Sequence, residues 1–350
     1  MTNDLKFTIY DIRYTIFLLH YFITSSPFTL SPCYPITPLL HHFITFLYLY
    51  PMIHPPYLKP GDKIAIVSPA RSITFEEVHP AIRFFQRQGL EVVLGSYVFN
   101  RYNQFAGTDE QRRKDFQQML DDDRIRAIVC ARGGYGTVRI IDQLDFKNFC
   151  EHPKWIVGFS DVTVLHAHIH RQFGIETLHA AMPVNMQEEK LDDTLMTMIE
   201  ALFGNPMAYF CEKKPLSRPG VAEGVLVGGN LSILHNLAGT ASDIDTAGKI
   251  LFIEDLDEYL YHIDRMMMNL KRTGKLARLH GLIVGGMTKM NDNAIPFGLT
   301  ANEIIAENVR EYKFPVCYDF PAGHIEPNVA LVLGRKVTLK VGTGVELKFH

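Results

Sequence analysis

The chain has 350 residues, 47% hydrophobic and 21% charged, which is long enough for two domains with their own cores. A formal net charge of −3 at pH 7 leaves no basic footprint for nucleic acid, so no nucleic-acid partner is expected. The five cysteines are odd in number and have no Cys-x-x-Cys spacing, which argues against a disulfide framework or a structural zinc site. This cysteine usage favours a reducing compartment, the cytoplasm.

Residues 14–58 contain no Asp, Glu, Lys or Arg. The apolar runs at 14–24 and 39–50 are shorter than the roughly 20 residues of a membrane-spanning helix, so no stable membrane insertion is expected. Asp4 and Asp11 do not suit the basic start of a signal peptide, and a lipid on Cys33 would need a better apolar lead-in. We favour translation starting at Met52, with residues 1–54 as an extension outside the fold.

From residue 55 the chain alternates between predicted strands and helices, which is typical of a parallel sheet with right-handed crossovers. Near-continuous apolar runs predict buried strands at 63–67, 90–94, 127–130, 155–157 and 177–183. Periodic segments predict helices at 75–88, 109–121, 137–144 and 162–171. We assign residues 55–185 to an N-terminal α/β domain.

A glycine-rich loop, Ala131-Arg132-Gly133-Gly134-Tyr135-Gly136, directly follows the third strand. Its glycines can adopt positive φ angles and bring backbone N–H groups close to an anion. The functional interpretation is a cradle for an oxyanion or a carboxylate. A nucleotide-phosphate loop is the rival, although its usual motifs are missing, and a plain tight turn is the third possibility.

The stretch 155–163, WIVGFSDVT, places Ser160 between a strand that ends at Gly158 and a predicted helix. This is the geometry of a nucleophile elbow, although Val162 stands where the usual second glycine would be. Ser160 could instead cap the helix. Three histidines follow on that helix: His166, His168 and His170. Alternate helical positions point apart, so we expect surface or partly packed histidines that do not converge on a metal.

A connection is predicted at 186–220, with a helix at 187–201, and a C-terminal domain at 221–350. The C-terminal domain has predicted strands at 223–230, 249–253, 279–285 and 315–317, and helices at 231–237, 259–273 and 300–312. Its tail, 329–349, alternates in short strands as in a small barrel-like sheet. Glu254 and Asp255 follow a buried strand, where two adjacent carboxylates are costly unless solvated, paired or hydrogen-bonded.

Ser160, Glu254 and His324 each lie where a predicted strand meets a loop, in the order nucleophile, acid and base. A serine nucleophile needs a base near neutral pH, and histidine serves this role when a carboxylate holds its tautomer. His324 could instead be a loop histidine bonded to backbone, and Glu254 a helix cap. Sequence separation does not reveal proximity, so both interpretations stay open here.

Six motifs in order make the chain similar to the LD-carboxypeptidases, a serine peptidase family with murein tetrapeptide carboxypeptidases and microcin C immunity peptidases. The match runs from about residue 55 to the C-terminus. The motifs are KPGD with SPA (59–62, 68–70), ARGGYG (131–136), GFSDVT (158–163), EGxLxGGN (223–230), LFIED (251–255) and PAGH (321–324). The resemblance implies an α/β fold with a flavodoxin-like parallel-sheet N-terminal domain and a smaller β-rich, barrel-like C-terminal domain. It also implies a site between them and a homodimer.

By this resemblance Ser160 is the nucleophile, His324 the general base and Glu254 its orienting carboxylate. The implied oxyanion hole consists of the backbone N–H groups of Gly134 and Asp161. The implied reaction is hydrolysis of the amide between an L-configured diamino acid and terminal D-Ala in a muropeptide tetrapeptide, during cell-wall peptide recycling. No metal and no cofactor are expected.

A carboxypeptidase must also recognise a free carboxylate. Arg132 is our candidate by position and Arg265 the second, although either could instead join the two domains through an ion pair. A microcin-immunity-like peptidase cleaving aminoacyl-adenylate analogues is the alternative function, but the helix with Tyr259, Tyr261 and Arg265 favours the murein branch. A catalytically inactive anion-binding module conflicts with the intact Ser, Glu and His. An amidotransferase would need a cysteine in place of Ser160.

Overall fold

Two sheets organise the computed structural model, which describes residues 52–187 and 192–350. The first sheet contains five parallel strands: β1 (Lys63–Val67), β2 (Glu91–Leu94), β3 (Ile125–Cys130), β4 (Trp155–Gly158) and β5 (Thr177–His179). Their spatial order, β2-β1-β3-β4-β5, is that of a flavodoxin-like doubly wound sheet. Ile64 and Ile66 of β1 enter one buried cluster and Ala65 and Val67 the other, because both faces of the sheet are covered.

Four helices flank these strands: α1 (Phe75–Arg87), α2 (Asp109–Asp121), α3 (Lys147–Glu151) and α4 (Thr163–Phe173). The first two begin at capping boxes on Thr74 and Thr108, which satisfy the free N–H groups of the first turn. The predicted helix at 137–144 is wrong. Residues Thr137–Arg139 and Ile141–Gln143 form two short 3-10 turns, because this run is rich in β-branched residues that disfavour a helix.

The second sheet has seven strands: β6 (Ala208–Glu212), β7 (Gly220–Asn230), β8 (Ile250–Leu256), β9 (Gly281–Thr288), β10 (Val316–Cys317), β12 (Lys336–Val341) and β13 (Gly344–Phe349). Their order is β10-β9-β8-β7-β12-β13-β6. Strands β10 to β7 are parallel, and β7, β12, β13 and β6 pair antiparallel. Four helices accompany this half: α5 (Asp193–Phe203), α6 (Leu231–Asn236), α7 (Leu260–Arg272) and α8 (Ala301–Asn308).

The chain after residue 329 does not stay in one small sheet, as the tail was expected to do. Strand β11 (Leu331–Leu333) pairs antiparallel with β5 at the edge of the first sheet. All three of its residues are fully buried, whereas β12 and β13 alternate buried and exposed positions. A strand without a polar side fits the interior edge, and the alternating hairpin fits a half-solvated sheet. The expected connection at 186–220 also contributes the edge strand β6, which pairs with β13.

Ile53 and His54, which precede the expected boundary at residue 55, belong to the fold. Ile53 forms a parallel bridge with Ile175, and its N–H donates to Gly174 O at 2.7 Å. His54 Nδ1 lies 2.9 Å from Glu176 Oε2. Two residues are too few to show a periodic sequence pattern, so the contacts of Ile53 and His54 could not be predicted from sequence. The interpretation of residues 1–51 as an upstream extension falls outside the described residues.

Helix α4 is packed between the two halves, and its histidines are more buried than expected. His166 is fully buried and donates from Nε2 to Gly158 O at 2.9 Å, and burial lowers its pKa to about 4. His168 is also buried and lies 2.9 Å from Ser242 Oγ. The expectation of surface or partly packed histidines is wrong for these two, because His166 packs onto the first sheet at Gly158 and His168 is covered by Ser242 of the second half. No helix within the described ranges is both long and apolar enough to span a bilayer.

Candidate active site

Ser160 occupies the sharp turn between β4 and α4. Its φ is +62°, in the left-handed region that non-glycine residues adopt at some cost. A 3-10 turn at Ser160–Val162 leads into α4, so strand, turn and helix follow as in a nucleophile elbow. The cap position of α4 is Val162, and no side chain caps this helix. The interpretation of Ser160 as a helix cap is therefore wrong.

Gly158 allows this turn to be tight. Its φ is +153°, and a Cβ there would lie 2.9 Å from Val162 Cγ2 and 3.3 Å from Cys130 Cβ. Its carbonyl oxygen accepts hydrogen bonds from His166 Nε2 and from Ala180 N. The turn that presents Ser160 is thus held by the following helix and by the exit of β5.

The glycine-rich loop packs directly against Ser160. A Cβ on Gly133 would lie 3.2 Å from Ser160 Oγ and 3.4 Å from Asp161 N. Gly134 has a φ of +104°, which favours glycine. Thr137 N donates to Asp161 Oδ2 at 2.9 Å and so ties the end of the loop to the elbow. Because N–H groups in a first helical turn lack intrahelical partners, the Asp161 N–H is placed to serve an anion beside Ser160.

Glu254 and His324 form a buried pair across 70 residues of sequence. Glu254 is fully buried within β8, and its Oε2 lies 2.6 Å from His324 Nδ1 and accepts from His324 N at 3.2 Å. Gly323 permits this approach, since a Cβ there would lie 2.7 Å from Glu254 Cβ. An ionised carboxylate only accepts, so the proton sits on Nδ1 and Nε2 is left as the basic nitrogen.

The pKa of His324 is raised above its ordinary value. Burial is the largest single influence and acts to lower it, but the hydrogen bond to Glu254 and the negative charges of Glu254 and Asp255 together outweigh burial. The site therefore stabilises the imidazolium that forms when His324 takes a proton.

The elbow contacts this pair through Phe159. The ring of Phe159, the residue before the serine, packs on the ring of His324 with centroids 4.8 Å apart. No hydrogen bond joins Ser160 to His324 in the part of the chain that the structure describes. Catalytic hydrogen bonds of this kind commonly tighten only when substrate binds.

A second histidine, His179, is buried between Phe159 and Phe252, with ring centroids 5.7 Å and 5.0 Å away. Neither of its ring nitrogens has a hydrogen-bond partner among the described residues. Burial is the main cause that lowers its pKa well below the ordinary value, and electrostatic interaction with the His166 and His324 imidazoles lowers it further. His179 therefore stays neutral in the pH range where His324 titrates.

Asn230 holds the Glu254 carboxylate on the oxygen that does not contact His324 Nδ1. Its Nδ2 donates to Glu254 Oε1 at 3.3 Å and to Asp255 Oδ1 at 2.9 Å. Asp255 Oδ2 in turn accepts from Ser232 N at 2.9 Å and from Ser232 Oγ at 2.6 Å. The Ser232 hydroxyl also faces Glu258 Oε1 at 2.9 Å. The two adjacent carboxylates are thus hydrogen-bonded, as their cost in a buried strand requires.

Asp255 is an unusually weak acid for an aspartate. Burial and the negative charge of Glu254 raise its pKa to about 6, although hydrogen bonds from Ser232, Leu256 and Asn230 act to lower it. Its ionised form is held by Ser232, Asn230 and its own backbone neighbour Leu256. Near neutral pH, Asp255 is therefore mostly ionised and adds negative potential beside Glu254.

Two glycines at the end of β7 let the halves of the molecule meet at the site. A Cβ on Gly228 would overlap the carbonyl oxygen of Phe252, and one on Gly229 would lie 2.5 Å from Thr163 Oγ1. Thr163 Oγ1 accepts from Asn230 N at 3.0 Å. The first residue of the elbow helix is thereby fastened to the residue that orients Glu254.

The two arginines proposed for the substrate carboxylate have other contacts. Arg132 Nη1 donates to Ser72 O at 3.4 Å and lies 3.5 Å from Glu77 Oε1, both within the first half of the chain. The guanidinium of Arg265 lies over the Tyr261 ring, 5.1 Å from its centroid. Neither contact is an ion pair between the halves.

Sequence reasoning missed the roles of Asn230, Ser232 and Thr163. Asn230 also caps the helix predicted at 231–237, since its Oδ1 accepts from Ile233 N at 3.2 Å. The Gly-Gly-Asn run before a helix was the available signal. Within residues 52–187 and 192–350, no group of three or more His, Cys, Asp or Glu side chains could hold a metal ion.

Comparison with known proteins gives concordant matches. Residues 64–180 match the LD-carboxypeptidase N-terminal domain and residues 223–339 the LD-carboxypeptidase C-terminal domain. A probable murein peptide carboxypeptidase of Bacillus subtilis is 36% identical over 295 residues, covering 81% of this chain and 91% of that protein.

Solved structures show the same fold. The crystal structure of muramoyltetrapeptide carboxypeptidase from Oxalobacter formigenes aligns with a TM-score of 0.74 at 27% identity, covering 82% of this chain and 98% of that one. The microcin C7 self immunity protein MccF, wild type and without ligand, aligns with a TM-score of 0.74 at 22% identity, covering 85% and 98%. At that identity the second match speaks for the fold alone.

Proposed function

Since the chain belongs to the LD-carboxypeptidase family, we propose that it is a serine-type carboxypeptidase that removes terminal D-Ala from murein tetrapeptides. The observation that carries this proposal is the meeting of three features at one place. They are the strained turn that presents Ser160, the glycine loop packed against its hydroxyl, and the buried His324–Glu254 pair beside it.

In the first step Ser160 Oγ attacks the carbonyl carbon of the amide between the diamino acid and D-Ala. His324 Nε2 takes the hydroxyl proton as the Oγ–C bond forms, and the resulting imidazolium is stabilised by Glu254. The carbonyl oxygen becomes an oxyanion and accepts hydrogen bonds from the N–H groups of Gly134 and Asp161. Such preorganised donors commonly supply the largest share of the stabilisation of the transition state.

In the second step the C–N bond breaks and His324 returns its proton to the leaving amine of D-Ala. The remaining acyl-enzyme ester is attacked by water, whose proton again goes to His324 Nε2. Collapse of the second tetrahedral intermediate releases the shortened peptide, and the proton returns to Ser160 Oγ. Atoms balance as one amide plus one water giving one carboxylate and one amine.

The substrate, compartment and assembly rest on the resemblance, the relatives' names and the cysteine pattern. The L-configured diamino acid before D-Ala rests on the family resemblance and on the relatives' names. The cytoplasm is proposed from the cysteine pattern, and a homodimer from the resemblance. Cell-wall peptide recycling would supply tetrapeptides in that compartment.

The test is mass-spectrometric assay of the full chain on a murein tetrapeptide, beside Ser160→Ala and the exposed-serine control Ser96→Ala. We expect D-Ala release by the parent and by the control, and none by Ser160→Ala. Failure of the folded parent to release D-Ala would contradict the proposal. Cleavage of aminoacyl-adenylate analogues by that same parent would then favour the microcin-immunity-like alternative.

A further inference from the structure

Arg71 lies in the loop after β1, at the carboxyl edge of the first sheet where open α/β sheets bind ligands. Its side chain crosses the glycine-rich loop. A Cβ on Gly134 would lie 2.5 Å from Arg71 Cδ and 2.9 Å from Arg71 Nε, so a side chain at position 134 would displace Arg71 from this path. Arg71 N donates to Gly133 O at 3.4 Å, which fastens the two loops together.

Two successive glycines of this loop therefore contact two different groups, the Ser160 hydroxyl and the Arg71 guanidinium. Gly133 faces Ser160 Oγ, and Gly134 faces Arg71. Adjacent Cα atoms are about 3.8 Å apart, so the two side chains lie at neighbouring points along one short edge. Burial raises the pKa of Asp161, and the positive charges of Arg112 and Arg71 act against that rise, which puts Arg71 within electrostatic reach of the elbow.

Arg71 also differs from the other arginines near this loop in having no partner. Its side chain is exposed, and its guanidinium makes no hydrogen bond or ion pair within the described residues. Arg112 donates to Pro69 O and Gly136 O and pairs with Asp109. Arg139 pairs with Asp109, and Arg132 contacts Glu77. Of these four cations, Arg71 alone is uncommitted.

We propose that Arg71 binds the free α-carboxylate of the substrate's terminal residue and thereby makes the enzyme a carboxypeptidase; this rests on the proposed function. In a peptide, the terminal carboxylate carbon lies about 3 to 3.7 Å from the scissile carbonyl carbon, with only the amide nitrogen and one Cα between them. With the scissile carbonyl at Ser160, the carboxylate falls at the next position along the glycine loop. A guanidinium there can engage it through two parallel hydrogen bonds.

This assignment replaces Arg132 and explains why the loop needs glycine at 134. Gly134 would contribute its N–H to the oxyanion and its missing side chain to the passage of Arg71. Residues of this region would then bind two negative charges of the reacting substrate. The Gly134 N–H would donate to the oxyanion that forms, and Arg71 would pair with the carboxylate that is already present. A peptide that continues past the terminal residue, or ends in an amide, would leave Arg71 without its counter-charge.

The experiment compares two substrates that differ by one charge: a murein tetrapeptide ending in D-Ala, and the same peptide ending in D-alaninamide. For the full chain we expect kcat/KM to be at least tenfold higher on the free acid. Arg71→Ala should lose about 10- to 100-fold on the acid and less than about threefold on the amide. Arg71→Lys should recover part of the loss, since it restores the charge without the two-pronged geometry.

Two arginine controls sharpen the result. Arg83→Ala removes an exposed guanidinium from α1 and should leave both activities unchanged. Arg132→Ala should change the two activities by the same factor. The acid-to-amide ratio is measured within one preparation of each variant, so partial misfolding cannot produce the expected pattern.

The outcomes separate this inference from the proposed function. No release from either substrate by the folded parent contradicts the proposed function itself. Equal parental activity on acid and amide, or an equal loss on both in Arg71→Ala, overturns the assignment of Arg71 while the peptidase stands. Loss of the acid preference in Arg132→Ala but not in Arg71→Ala would return the carboxylate to Arg132.

Discussion

The two sides of the candidate site are built in different ways. The nucleophile side is made of backbone: a positive φ at Ser160, glycines at 133, 134 and 158, and N–H groups of a helix start. The histidine side is made of side chains from distant segments, with Glu254 held by His324 and Asn230. Backbone features leave a local trace in sequence, whereas a side-chain network is assembled only by the fold. Substitutions on the two sides should therefore have different effects on activity.

The largest expected loss lies on the side-chain side, at Glu254→Gln. An amide at this position no longer fixes the His324 tautomer or stabilises the imidazolium, and kcat should fall by about 10⁴. KM should change little, because Glu254 is buried and does not reach the substrate. Steady-state kinetics check this, with the exposed Glu212→Gln as control. A loss of less than tenfold would contradict the role of Glu254.

A smaller loss is expected on the backbone side, at Gly134→Ala. The added Cβ meets Arg71, and a φ of +104° strains any side chain, so the loop and its N–H should shift. Loss of one oxyanion donor lowers kcat by about 10² to 10³.

Gly61→Ala is the matched control for Gly134→Ala, because Gly61 has a φ of +92° but open space around its Cβ position. It should cost stability in thermal unfolding without a comparable loss of kcat. If both variants lost activity equally, backbone strain rather than the oxyanion loop would be the cause.

Asp255→Asn should shift the pH dependence of kcat/KM more than it lowers the maximal value of kcat/KM. The base His324 must be neutral, so kcat/KM falls as pH drops through its pKa, which is raised above the ordinary value. Removing the negative charge of Asp255 makes the imidazolium less favourable and lowers that pKa. The acid limb should therefore move to lower pH, by about half a unit to one unit. A shift to higher pH, or none, would contradict the coupling.

The smallest effect is expected at Ser232→Ala. This change removes one hydrogen bond to Asp255 Oδ2 but keeps the Ser232 N–H bond to the same oxygen. We expect a decrease in kcat of about two- to fivefold and a loss of about 1 kcal/mol in the free energy of unfolding. Steady-state kinetics measure kcat, and urea unfolding measures the free energy of unfolding. A loss of kcat as large as that of Glu254→Gln would contradict the expectation that effects decrease with distance from His324.

The same contrast explains what could be predicted from sequence. Buried strands such as β1 and the capped helix α2 were predicted at their observed positions, because apolar runs and capping boxes are local. The elbow and glycine loop were located for the same reason. The destination of β11 was not, because its pairing with β5 joins residues more than 150 positions apart, Leu331 with His179.

Within the site, the pairing of Glu254 with His324 was predicted from motif order and family resemblance, which carry information that composition and spacing lack. The second role of Asn230 and the path of Arg71 over Gly134 depend on which loops meet at the sheet edge. No local sequence pattern predicts these contacts between loops. Ser160, Glu254 and His324 keep their catalytic roles as predictions until they are tested.

The most direct test of the central claim is covalent labelling of the full chain with a fluorophosphonate, followed by peptide mapping in the mass spectrometer. A serine activated by His324 should give one adduct, located on Ser160. The adduct should be lost in His324→Gln and greatly slowed in Glu254→Gln. Labelling that maps to another residue, or labelling of Ser160 at the same rate in His324→Gln, would contradict the account.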